Sequence, residues 1–249
     1  MFEGKAIALI VPAYREERLI ARMLRRLPAY IDRIYVVDDA SDDATLQEVR
    51  SVGDRRVHCL SHGRNLGVGA AIVSGYRAAL EQGFDVLVVM AGDDQMDPED
   101  LPALLAPAVR GQADYVKGNR FQHLRVKSMP LMRRVGGRLL SLFTRAASGL
   151  EIGDSQCGFT ALSARAAETL PLAELWPRYG YPNDLLLMLG ARGLRVCDVA
   201  VRPVYADEAS GVRPWHLLTV SGVILRRFMR DRAWRGARAL PARPEPALD

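Results

Sequence analysis

The sequence predicts an α/β fold, a single Rossmann-like and mostly parallel sheet flanked by helices, and three observations predict it. Almost purely apolar runs recur at short intervals through the first half, helical patterns separate them, and unusual polar residues collect where the runs end. Apolar strands alternating with helices imply βαβ units whose strands are covered on both faces. In such sheets ligands bind beyond the carboxyl ends of the strands.

The strand-like runs are AIALIVP (6–12), RIYVVDD (33–39), RVHCLS (56–61), VLVVMAG (86–92) and the shorter DYVKGN (114–119). Helical spacing places helices at 16–28, 42–51, 67–82 and 98–110. The second half is less regular. Helices are expected at 130–147 and 183–192, and strands at 158–164 and 194–205. From Trp215 onward, Leu217, Val220, Ile224 and Phe228 fall on one helical face and arginines crowd the remainder. This pattern suits either an interfacial helix on an anionic membrane or a helix packed on the sheet with a basic outer face. Residues 1–213 are therefore expected to form one domain, with a regular half (1–119) and a less regular half (120–213). A basic amphipathic helix (214–235) and a Pro/Ala-rich disordered tail (236–249) follow.

Composition bounds the function. The chain has 249 residues, 49% hydrophobic and 25% charged, an ordinary globular balance. Its apolar runs are too short for a signal peptide or a bilayer span. Three cysteines, Cys59, Cys157 and Cys197, lack metal-ligand spacing and suit reduced thiols in a cytoplasmic protein. The net charge of +5 is unevenly spread. Tyr115 to Leu150 contains no acid but eight lysines and arginines, and Arg226 to Arg238 holds six arginines against Asp231. Acids concentrate at 38–43 and 93–100. This separation suits a site that holds anions on one side and a cation on the other. No nucleic-acid recognition motif accompanies the basic character.

The stretch VLVVMAGDDQMDPEDL (86–101) concentrates five acids after a buried strand. Asp97 as N-cap, Pro98 at the first helical position, and Glu99 and Asp100 near the positive helix end need no further role. Asp93, Asp94 and Gln95 remain, and a cation would offset the repulsion among the acids. In VVDDASDDAT (36–45), Ser41 is an expected N-cap, which leaves Asp38 and Asp39 at a strand tip able to accept bonds from a nucleobase or ribose. RNLGVGAA (64–71) opens a helix, where Gly67 and Gly69 either permit close backbone approach to a ligand or simply form a loop.

Together these motifs, with VPAYREE, GNRF (118–121), GDSQCGFTALS (153–163) and YPNDLLL (181–187), occur in a specific order. Over residues 5–213 the chain resembles the family-two glycosyltransferases of GT-A fold, in particular the polyprenyl-phosphate (dolichyl-phosphate) mannosyl- and glucosyltransferase branch. The resemblance implies that Pro12, Tyr14, Glu16 and Asp39, with Asp38 beside them, hold the nucleoside of a GDP- or UDP-hexose. It implies that Asp93 and Gln95 serve a Mg²⁺ or Mn²⁺ ion on the donor diphosphate, and that Arg120 lies near the phosphates. Two departures stand out. Ala91 replaces an aspartate of the family's metal motif, for which Asp94 is a candidate substitute, and Gly211 stands where relatives carry a lysine, a charge Arg213 could supply.

The implied activity is inverting transfer of a hexose to polyprenyl phosphate by an enzyme resting peripherally on the cytoplasmic face of the membrane. An anionic lipid phosphate needs cations more than a base. The alternative is a hydroxyl acceptor, which must lose its proton to a carboxylate, and Asp184 stands where the resemblance puts that residue in many hydroxyl-acceptor relatives. Asp184 could equally be a helix N-cap, and a non-catalytic nucleotide-sugar binder also remains open.

Overall fold

In the computed structural model, residues 1–204 and 215–238 are described. Seven strands form one sheet: β1 (Ile7–Ala13), β2 (Arg33–Asp38), β3 (Val57–Ser61), β4 (Val86–Val89), β5 (Tyr115–Asn119), β6 (Thr160–Ser163) and β7 (Val196–Ala200). Their order is β3-β2-β1-β4-β6-β5-β7. The first four run parallel, and β5 and β7 are parallel to each other. Between these groups β6 is antiparallel to both neighbours, a reversal that the run GFTALSA did not signal.

The helices are α1 (Ile20–Arg25), α2 (Thr45–Ser51), α3 (Val68–Glu81), α4 (Leu101–Val109), α5 (Leu131–Ser148), α6 (Ala164–Thr169), α7 (Tyr181–Ala191) and α8 (Trp215–Arg238). Strand residues alternate between two cores, because successive side chains point to opposite faces. Ile7, Leu9 and Val11 of β1 pack with Met23 and Leu24 of α1 and Leu104 and Leu105 of α4. Ala8 and Ile10 pack with Ile72 and Tyr76 of α3 and Leu185 and Met188 of α7. The sheet is thus covered on both faces, as its continuous apolar runs require. Edge strand β3 is partly exposed, which explains its weaker apolar run.

A third, smaller core joins Leu140 of α5, Leu187 of α7 and Val220 and Ile224 of α8, with Leu217 and Phe228 packed against it. Of the two readings open for the C-terminal helix, the packed one therefore holds: its apolar face lies against the protein. Nor do all its arginines point outward: Arg227 is buried. The helix runs three residues beyond its expected end, to Arg238, and the rest of the expected tail lies outside the described residues.

Candidate active site

The carboxyl ends of β1, β2 and β4 carry unusual backbone. Arg15, Ala40 and Asp94 hold φ of 58°, 62° and 54°. Such left-handed conformations cost residues with side chains about 1–3 kcal/mol and persist where surrounding contacts enforce them. The Arg15 guanidinium pairs with both oxygens of Asp42 at 2.6 Å, and its backbone N–H donates to Ser41 Oγ at 3.0 Å. Ser41 is therefore not the expected cap. Helix α2 begins later, where the Asp43 carboxylate accepts from the Thr45 N–H.

The acids after β4 separate by role. Asp97 caps the following 3₁₀ turn by accepting from the Glu99 N–H. Arg26 and Arg202 both donate to Asp97, Arg202 also pairs with Glu99, and the Arg202 N–H donates to Asp100. Asp94 is buried and accepts from Arg22 at 2.7 Å and Arg26 at 2.9 Å. It cannot stand in for the carboxylate missing at Ala91, because its oxygens are committed to these guanidinium groups. Asp93 differs. Half-buried, it accepts from the Gln95 N–H at 3.1 Å and, with Gln95, Arg120 and Arg202, lines a small hollow of about 50 Å³.

A second, wider hollow of about 560 Å³ opens beside the ends of β1 and β2, lined by Arg15, Glu16, Arg18, Asp42 and Asp43. Tyr14 is exposed with the Arg15 guanidinium over its ring. Pro12 and Glu16 lie against Gly92, where an added Cβ would stand 3.7 Å from the Pro12 carbonyl and 3.5 Å from Glu16. The fold thus brings Pro12, Glu16 and the strand end before Asp93 together. A larger hollow of about 680 Å³, lined by Lys5, Asp85, Asp114 and Arg195, sits at the opposite end of the sheet and shares none of these residues.

Asp38 and Asp39 are both buried. The Ser41 N–H lies 3.3 Å from either oxygen of Asp38. Asp39 accepts from the N–H groups of Leu66 and Gly67 at 2.9 and 2.7 Å, and its Oδ1 lies 2.7 Å from His62 Nδ1. In this arrangement Asp39 fixes the loop before α3. Gly67, expected to let a ligand approach, instead lets the chain approach itself. Its φ is 101°, an added Cβ would stand 2.5 Å from the Pro177 carbonyl, and a Cβ on Gly69 would collide with the Trp176 carbonyl. The Ala70 N–H donates to that Pro177 carbonyl.

Arg120, at the end of β5, pairs with both oxygens of Asp154 at 2.7 and 3.0 Å. Burial alone would raise the Asp154 pKa, yet Arg120 and Lys117 hold it below the ordinary carboxylate value. Lys117 is fully buried and donates to the Cys157 carbonyl; burial lowers its pKa. Nearby, burial raises the Asp198 pKa while that carboxylate accepts from Asn119 at 2.8 Å. The inner cations of the acid-free segment are therefore met by acids just beyond it. Sequence reading missed Asp154 and Asp198, although GDSQCG placed Asp154 in a quoted motif.

Asp184 is neither an N-cap nor exposed; Gly180 precedes the helix. It is 1% exposed and accepts from Arg227 through both oxygens, at 2.7 and 2.9 Å, and from the Trp176 N–H at 2.8 Å. A carboxylate so enclosed is not placed to remove a proton from an acceptor hydroxyl. Arg213 lies outside the described residues.

Among the described residues no three of His, Cys, Asp and Glu gather into a metal cage. Asp93 and Gln95 offer two hard oxygens within one turn. A Mg²⁺-type ion commonly takes one or two protein oxygens and completes its shell with substrate phosphate and water. The pair fits a partial site of that kind.

A crystal structure of glucosyl-3-phosphoglycerate synthase from Mycobacterium tuberculosis with Mn²⁺, UDP and glucosyl-3-phosphoglycerate matches with a TM-score of 0.69. It is 23% identical, over 91% of this chain and 81% of that one. The architecture is that of the GT-A glycosyltransferases. The sequence model described as glycosyl transferase family 2 matches residues 8–168. UDP-N-acetylglucosamine–dolichyl-phosphate N-acetylglucosaminyltransferase of Methanococcus voltae is 30% identical over 82% of this chain and 87% of its own. Undecaprenyl-phosphate mannosyltransferase of Micrococcus luteus is 30% identical over 94% and 98%. The chain belongs to glycosyl transferase family 2, is a glycosyltransferase, and falls with the polyprenyl-phosphate sugar transferases. Among the described residues no helix is long and apolar enough to cross a membrane.

Proposed function

We propose that the protein is a metal-dependent, inverting hexosyltransferase that moves a sugar from a GDP- or UDP-hexose to a polyprenyl phosphate, resting peripherally on the cytoplasmic face of a membrane. The observation that carries this reading is the shared hollow of Asp93, Gln95 and Arg120, taken with an Asp184 that Arg227 already encloses. Mn²⁺ and UDP in the M. tuberculosis neighbour and the polyprenyl-phosphate acceptors named in the relatives support it.

Residues around the Pro12–Glu16 turn hold the nucleoside, and Asp39 keeps the adjoining loop in shape. Asp93 and Gln95 hold the divalent ion, which when bound neutralises charge on the departing diphosphate. Arg120, oriented by Asp154, adds positive potential near the phosphates. The acceptor phosphate attacks the anomeric carbon from the face opposite the diphosphate. It is anionic at neutral pH and requires no base, so Asp184 acts by positioning the 176–178 segment and α8.

A donor panel incubated with a short polyprenyl phosphate and Mg²⁺ or Mn²⁺, read by mass spectrometry of the lipid, tests the proposal. One hexosyl phospholipid should form, vanish with EDTA and return with metal. Transfer only to hydroxyl acceptors, or turnover indifferent to EDTA, would refute it.

A further inference from the structure

The exposed apolar residues of this protein are concentrated on one side. On α5, Leu131, Met132, Val135, Leu139, Leu142 and Phe143 are exposed along a single helical stripe, and Met132 is 80% exposed. The opposite face of α5 is fully used. Leu140 is in the third core, Ser141 bonds Ser155, and Thr144 accepts from Asn183. On α8, Leu218, Leu225 and Met229 form a second exposed stripe, distinct from the inward Val220–Ile224 face. Between the helices Phe143, Ala147, Ile224, Leu225 and Phe228 line an apolar groove of about 400 Å³. Just before α5, Leu124 is 97% exposed.

Cations fringe this face. Arg125, Lys127, Arg134 and Arg138 have no carboxylate at ion-pair distance among the described residues, whereas the inner Arg120 is paired. Arg145 meets Glu151 at 2.8 Å, and Arg226 lies over the Trp176 ring. Apolar residues bordered by arginine and lysine match a bilayer carrying anionic headgroups. A second copy fits less well, because a two-fold contact through this face would set the arginine fringes against each other. The face is also continuous with the candidate site. Gly137 and Arg138 pack on the Phe121 ring, and Phe121 follows Arg120.

We propose that the combined α5–α8 face, led by the outer stripe of α5, is the surface by which the protein docks on an anionic membrane, the groove between the helices facing the acyl region. The proposal rests on the peripheral, lipid-linked reading above and names its surface. Docking this way sets Arg120 and Asp93 at the border where a lipid phosphate is presented.

Binding is measured by co-sedimentation with phosphatidylcholine vesicles, with and without phosphatidylglycerol, in the absence of donor and acceptor. The wild-type protein should bind the anionic vesicles, and more weakly as salt rises. The Val135→Asp, Leu142→Asp double variant should bind roughly tenfold or more weakly, since each substitution puts a negative charge where an apolar side chain would be buried. Its transfer to a short, water-soluble polyprenyl phosphate should be unchanged. Independently of any variant, amide exchange on the wild-type protein should slow in α5 and α8 when anionic vesicles are added. Vesicle binding unaffected by the double substitution, no binding at all, protection elsewhere, or a dimer in solution that the substitutions dissociate would each overturn the proposal. Because binding is scored without turnover, a failed transfer assay would overturn the reaction assignment and leave the docking result standing.

Discussion

At the scale of single residues, Arg22 and Arg26 hold Asp94 at 2.7 and 2.9 Å, while Asp93, one position earlier, lines the hollow with Gln95 and Arg120. Asp97 capping its own turn could be read from Asp-Pro-Glu-Asp alone. The roles of Asp39, Gly67 and Asp184 could not, because the side chains that pair with the two aspartates, His62 and Arg227, lie 23 and 43 positions away and Gly67 meets the 177–178 segment. Separations of 68 and 72 positions likewise hid the fate of Asp94. Arg22 and Arg26 claim it, which leaves Asp93 as the carboxylate after β4 that lines the hollow with Gln95. Replacing Asp93 with Asn keeps an oxygen for the Gln95 N–H but removes the charge. Sugar transfer should fall by roughly 10²–10³-fold with an unchanged melting temperature, the size of effect seen when one stabilising group for developing charge is lost. Equal activity in the variant would remove Asp93 from the chemistry. Arg227 gives the contrasting case. Truncation to Ala leaves the Asp184 charge buried and should cost about 3–5 kcal/mol. A second change, Asp184→Asn, should restore much of that loss. Thermal unfolding of the single and double variants decides whether the pair is coupled as the distances imply.

At the scale of elements, apolar periodicity located every strand and helix of the first half, and boundaries moved by a few residues where loops took over strand or helix ends. The expected helix at 16–28 shrinks to Ile20–Arg25 because the residues before it turn across the site edge. The antiparallel β6 was invisible as such. A four-residue apolar run carries no direction, and only its pairing with β4 and β5 supplies one. For the C-terminal helix the sequence left two readings open, an apolar face against a membrane or against the protein, and the third core turns that face inward. Periodicity identifies an apolar face without naming what covers it. Two glycines test the packing that decides this. A Cβ on Gly190 of α7 would collide with the Ser148 carbonyl at the end of α5, whereas nothing lies within 4 Å of the same position on Gly222 of α8. Gly190→Ala should lower stability by about 1–2 kcal/mol through overpacking. Gly222→Ala should raise it by up to about 1 kcal/mol through helix propensity. Denaturant midpoints that moved in the same direction would contradict the α5–α7–α8 layer.

At the scale of the whole molecule, the sheet divides its labour between its two ends. The carboxyl end holds the left-handed Arg15, Ala40 and Asp94, both hollows of the candidate site and the Arg120–Asp154 pair. At the amino end, three aspartates clasp neighbouring backbone: Asp32 accepts from the Ile7 N–H, Asp85 from the Ala6 N–H and Asp114 from the Arg195 N–H. Charge clustering along the sequence raised the expectation of a site holding a cation on one side and anions on the other. It could not foretell these clasps, since each aspartate stands alone in sequence and meets its partner 25 to 81 residues away. Asp114 is the strongest of them. The Arg195 hydrogen bonds, against the opposing effect of burial and with help from Arg165, lower its pKa from 3.8 to about 2. A carboxylate whose folded pKa is depressed stabilises the fold above its unfolded pKa, and that stabilisation drains away as pH falls through the folded value. At neutral pH Asp114→Asn should therefore cost about 1–2 kcal/mol, lowering the melting temperature by roughly 3–6 °C in a chain of this size. Between pH 3.8 and about 2 the difference from wild type should close. Sugar transfer at neutral pH and moderate temperature should be untouched, because this clasp lies at the end of the sheet remote from Asp93. A stability gap that persisted down to pH 2, or a loss of turnover in the folded variant, would show that the two ends are not independent.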